Sequence, residues 1–206
     1  MTRNARSDGG ADGAEHPDDT LGPLLVDIER RAGAAVLARA AAVDLVLLDV
    51  DGVMTDGGLI RGDDGLEYKR FHARDTIGLR LLRASGVKVG IVSGRASTTL
   101  ADRAEEIGVD ALHQGVHDKR EALVAVLAAL DVPVERTAFI GDDVVDLPPM
   151  RRVRLALATA DAHPLVRASA HHVLAAAGGR AAAREAAELL MHARGTLRAA
   201  LGRYLE

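Results

Sequence analysis

From residue 43 onward, short apolar runs alternate with helix-length stretches, and this alternation restricts the fold more than any other feature of the chain. The runs Leu45–Leu48, Val87–Val92, Val109–Leu112, Thr137–Ile140 and Val153–Ala158 are rich in Val, Leu and Ile, which predicts buried strands. Between them the spacing predicts helices over Thr76–Ala84, Ser97–Ile107, Lys119–Leu130 and Val144–Met150. Asp75 and Asp118 are placed as N-caps, and Gly86 and Gly108 as stops. A helix over Leu24–Ala42 leads the series. A late strand at His172–Leu174 and a helix through Glu185 to Ala193 close it. Repeated βα units of this kind predict an α/β fold, a doubly wound, mostly parallel sheet with helices on both faces. One insertion interrupts it. Gly58–Arg61 and Leu66–Phe71 flank the turn Gly62-Asp63-Asp64-Gly65, the pattern of a β-hairpin at about residues 58–71. Residues 24–206 read as one domain, and the polar, Gly- and Asp-rich residues 1–23 as a disordered tail.

Composition removes several function classes. Hydrophobic residues make up 48% of the 206 but aromatics only 2%, so Ala, Val and Leu must build the core. A net charge of −4 argues against nucleic-acid binding through broad phosphate neutralisation. There is no cysteine, which excludes disulfides and thiolate metal sites. The eight histidines show no metal-ligand spacing. No apolar run is long enough to span a bilayer, and Met1–Asp19 lacks the apolar core of a secretory signal. A soluble cytoplasmic enzyme or module, with no membrane or nucleic-acid partner, is the expectation.

The ends of the predicted strands carry the chemistry. Leu45–Leu48 runs into Asp49-Val50-Asp51, and in an extended strand residues i and i+2 face the same side. Two carboxylates held that close repel unless a cation or a shared proton compensates. Val92 leads into Ser93-Gly94-Arg95, Lys119 opens a helix, and Ile140 leads into Gly141-Asp142-Asp143 with Asp146 close behind. Each of these alone is more often a turn, a cap or a solvated side chain. Together they map to one sheet edge, where open α/β sheets bind ligands. The carboxylates there suit Mg²⁺, while a hydroxyl and an ammonium suit the oxygens of a transferring phosphoryl group.

The order Asp-x-Asp, Ser, Lys, Gly-Asp-Asp resembles the haloacid dehalogenase superfamily of phosphohydrolases, whose fold is Rossmann-like. A receiver domain shares Asp, Ser/Thr and Lys at strand ends, but its phosphoacceptor is not the first of an Asp-x-Asp pair. Further segments narrow the resemblance: Asp49 to Gly57, Phe71-His72-Ala73-Arg74-Asp75, Gly141 to Pro148, Asp161-Ala162-His163-Pro164, and Gly178-Gly179-Arg180 followed by Arg184-Glu185. These look like the 3-deoxy-D-manno-octulosonate 8-phosphate (KDO 8-phosphate) phosphatase group, which includes related nonulosonate-phosphate phosphatases. The resemblance spans roughly Val43 to Gly195. It departs at Asp75-Thr76, where the family usually has Asp-Gly, and this bears on substrate fit near that loop.

The resemblance implies roles. Asp49 is the nucleophile and a Mg²⁺ ligand. Asp51 is the acid and then the base, and lends its backbone carbonyl to the metal. Asp142 completes the protein ligands, and Asp143 holds metal-bound water. Ser93 and Lys119 stabilise the phosphoryl group. Arg74, Gly94, Arg95 and Arg180 are candidates for substrate contacts, since arginine can clamp a sugar-acid carboxylate. The hairpin stands in place of a cap domain, which implies a homotetramer with sites closed by neighbouring chains. Two other readings are a phosphatase for another nonulosonate or sugar phosphate, and a non-catalytic oligomerisation module. The module is disfavoured because every catalytic position is intact.

Overall fold

Strand β1 (Leu45–Leu48) has no exposed surface on any of its four residues. It lies at the centre of a sheet whose order is β5-β4-β1-β6-β7-β8, with every pairing parallel. The other strands are β4 (Lys88–Val92), β5 (Ala111–His113), β6 (Thr137–Gly141), β7 (Leu155–Ala158) and β8 (His172–Val173). The chain winds outward from β1 to one edge, returns, and winds to the other. This is the doubly wound order whose crossover beside β1 opens a crevice at the strands' C-terminal ends. The computed structural model describes residues 17–205.

Side-chain alternation along β1 divides the core in two. Val46 and Leu48 join one apolar cluster with α1 (Pro17–Ala40), α2 (Ala73–Ala84), α3 (Thr98–Ile107), α7 (Ala182–Ala193) and α8 (Leu197–Gly202). Leu45 and Leu47 face the opposite cluster, with α4 (Lys119–Leu130), α5 (Leu147–Met150) and α6 (Pro164–Ser169). Strands β2 (Ile60–Arg61) and β3 (Glu67–Tyr68) form the separate antiparallel hairpin.

Several expected boundaries move. Helix α1 begins at Pro17, so residues 17–23 are helical rather than tail, and Leu21 is buried in the core. The expected disorder of residues 1–16 lies outside the described residues. Within α1, Gly33 adopts φ 71°, ψ 164° and breaks the helix, which a uniform spacing argument over Leu24–Ala42 does not foresee. His72, not Asp75, caps α2, with its Nδ1 accepting from the Arg74 amide at 3.2 Å. Val144–Asp146 forms a 3₁₀ turn before α5. Helices α6 and α8 add to the expected set, and α6 begins with Pro164 at its first position, a recognised start signal.

Candidate active site

The Asp49 amide still donates to the Ile140 carbonyl of β6 at 3.0 Å, and beyond it the chain leaves the sheet. Asp51 lies in a tight turn where the amides of Val53, Met54 and Thr55 all reach the Val50 carbonyl, at 3.2, 2.9 and 3.0 Å. Asp49 and Asp51 therefore reach one cleft by way of this turn, and not through strand alternation. They line one cleft of about 320 Å³ together with Gly94 and Arg95 after β4, Lys119 at the start of α4, and Asp142 and Asp143 after β6. Ser93 is fully buried beneath this wall, its Oγ accepting from the Arg95 amide at 3.2 Å. Arg74 and Arg180 are exposed and stand outside this cleft's lining.

Two close approaches hold the loops in register. Gly52 has φ +91°, and a Cβ there would lie 2.0 Å from Asp142 Oδ2. Behind it, a Cβ on Gly178 would lie 2.1 Å from the Gly52 carbonyl oxygen. Only glycine lets the β1 loop slide between the Asp142 carboxylate and the Gly178 turn.

Lys119 is the electrostatic hub. Its ammonium lies 2.8 Å from Asp49 Oδ2 and 2.6 Å from Asp146 Oδ1, with only 4% of its side chain exposed. Burial pulls its pKa down, but the charges of Asp146 and Asp49 outweigh that and hold it above the ordinary lysine value. Asp146 is fully buried, and its Oδ2 accepts from the amides of Asp142 and Asp143 at 3.0 and 3.3 Å. The strand-end motifs alone give it no site role. Its signal was the capping-box spacing Asp143-x-x-Asp146, which the structure forms.

Carboxylate oxygens of Asp49, Asp142 and Asp146 lie within 4.8 Å of one another. Lys119 and two amides occupy Asp146, which leaves Asp49 and Asp142 as available donors. The Asp51 carboxylate lies outside this group, against Lys69 of the hairpin, so its backbone is what could join them. Asp142 Oδ1 is buried and has no hydrogen-bond partner. Burial, then the charges of Asp146 and Asp49, push the Asp142 carboxyl up to about 8. Burial and Asp146, opposed by Lys119, push Asp49 up to about 6. An orphaned oxygen amid mutually repelling carboxylates fits a small hard cation such as Mg²⁺.

Both folded-state values exceed the ordinary aspartate value of about 3.9, so the metal-free folded state binds protons that the unfolded chain has released. Stability contributed by these groups should therefore fall as pH rises from about 4 to about 8. Mg²⁺ at a hundredfold excess over its dissociation constant should restore about 2.7 kcal/mol, or about 5–10 °C of Tm. The gain should be larger at pH 8 than at pH 5.5. Melting curves with EDTA or Mg²⁺ that coincide at pH 8 would contradict this fit.

Asp75 and Thr76, where the sequence departs from the family pattern, are buried away from the cleft wall. Asp75 Oδ1 accepts from the Arg184 amide in the first turn of α7 at 2.8 Å.

A parallel sheet with a carboxylate-rich cleft beside its crossover is the architecture of a phosphoryl-transfer hydrolase. The model of the haloacid dehalogenase-like hydrolase family matches residues 72–154. The 3-deoxy-D-manno-octulosonate 8-phosphate phosphatase KdsC of Yersinia pestis is 44% identical over 185 residues, covering 90% of this chain and 95% of that protein. The enzyme of the same name from Escherichia coli K12 is 41% identical, covering 82% and 90%. A crystal structure of the Moraxella catarrhalis phosphatase with magnesium, phosphate and KDO is 32% identical, with a TM-score of 0.80, covering 82% of this chain and 97% of that one. The chain belongs to the 3-deoxy-D-manno-octulosonate 8-phosphate phosphatase family of haloacid dehalogenase-like hydrolases.

Proposed function

We propose that this chain is a Mg²⁺-dependent phosphatase that hydrolyses KDO 8-phosphate to KDO and phosphate. The observation that carries the reading is the meeting of Asp49, Lys119 and the unpartnered Asp142 oxygen in one cleft. Family membership supports the substrate.

Mg²⁺ would be held by the carboxylates of Asp49 and Asp142 and the Asp51 carbonyl, with Asp143 beside it, and would neutralise negative charge in the cleft. Asp49 attacks phosphorus, and the phosphorus–sugar oxygen bond breaks as Asp51 gives its proton to the leaving alkoxide. The resulting aspartyl-phosphate is hydrolysed by a water whose proton returns to Asp51, which releases phosphate and restores Asp49. Ser93 and Lys119 donate to the phosphoryl oxygens, and Lys119 orients Asp49. Gly94 leaves room for the phosphoryl group, and Arg95 takes the sugar carboxylate.

The chain acts, in this reading, as a cytoplasmic homotetramer. Leu59, Ile60, Leu66 and Tyr68 are each more than half exposed on the hairpin, an apolar surface suited to a second copy. Arg74 and Arg180, outside their own cleft, are then free to reach a neighbour's. Light scattering at micromolar concentration should give four times the chain mass, and a monomer would remove this part.

Phosphate release with Mg²⁺ should favour KDO 8-phosphate over hexose phosphates by at least about a hundredfold in kcat/KM. Arg95→Ala and Arg180→Ala should weaken acidic sugar phosphates more than neutral ones. Equal rates on all substrates would remove the KDO assignment, and equal losses in the variants would remove the carboxylate role.

A further inference from the structure

The hairpin pairs only Ile60 with Tyr68 and Arg61 with Glu67, and its strands are largely exposed. A ladder that short is marginal by itself. Yet the next residue, Lys69, has only 3% of its side chain exposed. A lysine ordinarily keeps its ammonium in water, and burying it requires a compensating charge. That charge is the Asp51 carboxylate, to which the Lys69 Nζ donates through Oδ1.

The contact is one side of a closed ring. Glu67 Oε1 lies 3.6 Å from the same ammonium, and Glu67 Oε2 accepts from Arg95 Nη2 at 2.7 Å. Arg95 Nε has no hydrogen-bond partner and faces the other Asp51 oxygen, Oδ2, at 4.0 Å. Two acidic and two basic residues alternate around the ring, and the largely exposed Arg61 adds a further cation 3.6 Å from Glu67 Oε2. Asp51 itself stands on the turn beyond the end of β1. Lys69 fixes one carboxylate oxygen and leaves the other toward Arg95 and the cleft.

We infer that Lys69 is the positioning residue for Asp51, delivered from the hairpin of the same chain, with Glu67 as its buttress. This rests on the reading of Asp51 as acid and base. The hairpin thereby takes part in proton transfer, in addition to offering an assembly surface.

The chain has no cysteine, so Lys69→Cys can be alkylated at one position with 2-bromoethylamine to regrow an ammonium of near-lysine length. The assembled, Mg²⁺-loaded protein is followed by rapid quench with p-nitrophenyl phosphate, whose leaving group needs no proton, and with the sugar phosphate, whose leaving group does. Lys69→Cys should give a burst of about one nitrophenolate per site, then turnover slowed about 10–100-fold, because only the water-attack step still needs Asp51. On the sugar phosphate it should lose kcat with no burst, while KM stays within about threefold. Aminoethylation should remove the burst and return kcat to within about fivefold of the parent protein.

Asp51→Asn is the control and should show the same burst. If Asp51→Asn bursts while Lys69→Cys slows equally on both substrates without one, Lys69 merely holds the hairpin and the inference falls. An aminoethylated protein as slow as Lys69→Cys also overturns it. Absence of a burst in Asp51→Asn would instead remove the acid–base role of Asp51, and the inference with it.

Discussion

Asp49→Asn should leave a folded protein whose phosphate release is at least about 10⁴-fold slower than that of the parent chain. The amide fills the same space but offers no anionic oxygen to attack phosphorus, so the covalent step has no nucleophile. Stability should move the other way. Asp49 is buried, and burial together with Asp146 makes its charge unwelcome, holding the carboxyl up to about 6. A neutral amide removes that repulsion. In EDTA at pH 8 the variant should therefore melt no lower than the parent protein. Phosphate release within a hundredfold of the parent would overturn the role of Asp49, whatever the melting curve shows.

Lys119→Met should combine a large loss of activity with a large loss of stability. The ammonium serves two carboxylates at 2.8 and 2.6 Å, and one of them, Asp146, has no exposed side-chain surface. Methionine matches the stem but strands both charges, a change worth about 3–5 kcal/mol when a buried pair is broken from one side. For a chain of this size that is about 6–20 °C of Tm. Loss of a donor to the transferring phosphoryl group should slow turnover about 10²–10³-fold. The stability deficit should be greatest at neutral and alkaline pH and should shrink on acidification, as the stranded carboxylates take up protons. In the parent protein the raised Lys119 pKa keeps the pair's contribution intact until pH passes the ordinary lysine value. A variant melting with the parent across pH 5–9 would show that Asp49 and Asp146 find other partners.

What could be read in the sequence was what neighbours in the chain determine. β1, β4 and β6 are each an apolar run followed at once by its reactive residues, so strand and site were visible together. The hairpin turn, the Asp118 cap and the Gly108 stop are likewise local. Lys69 was not legible, because a lysine after a short exposed strand has every appearance of a solvated side chain. Its burial depends on the hairpin folding back over the β1 loop. Asp75 was misread as a cap for the same reason. Its spacing suits one, but helix α7, more than a hundred residues later, supplies the amide it binds. The break at Gly33 was not legible either, since a glycine in a helical stretch is usually tolerated.

The central place of β1 in the sheet bears on how the protein comes into being. β1 precedes both of its neighbours in the chain, pairing with β4 at Lys88 and with β6 at Thr137. During synthesis it must wait for strands made long after it, the kind of distant pairing that slows folding. Asp49 leaves the ribosome early, while Lys119, Asp142 and Asp146 follow only after most of the chain has been made. The nascent polypeptide thus carries a nucleophile with neither its ammonium nor its full cation site. Chemistry is withheld until β6 docks, because the strand that covers the second side of β1 is also the one that brings Asp142 and Asp146 to Asp49.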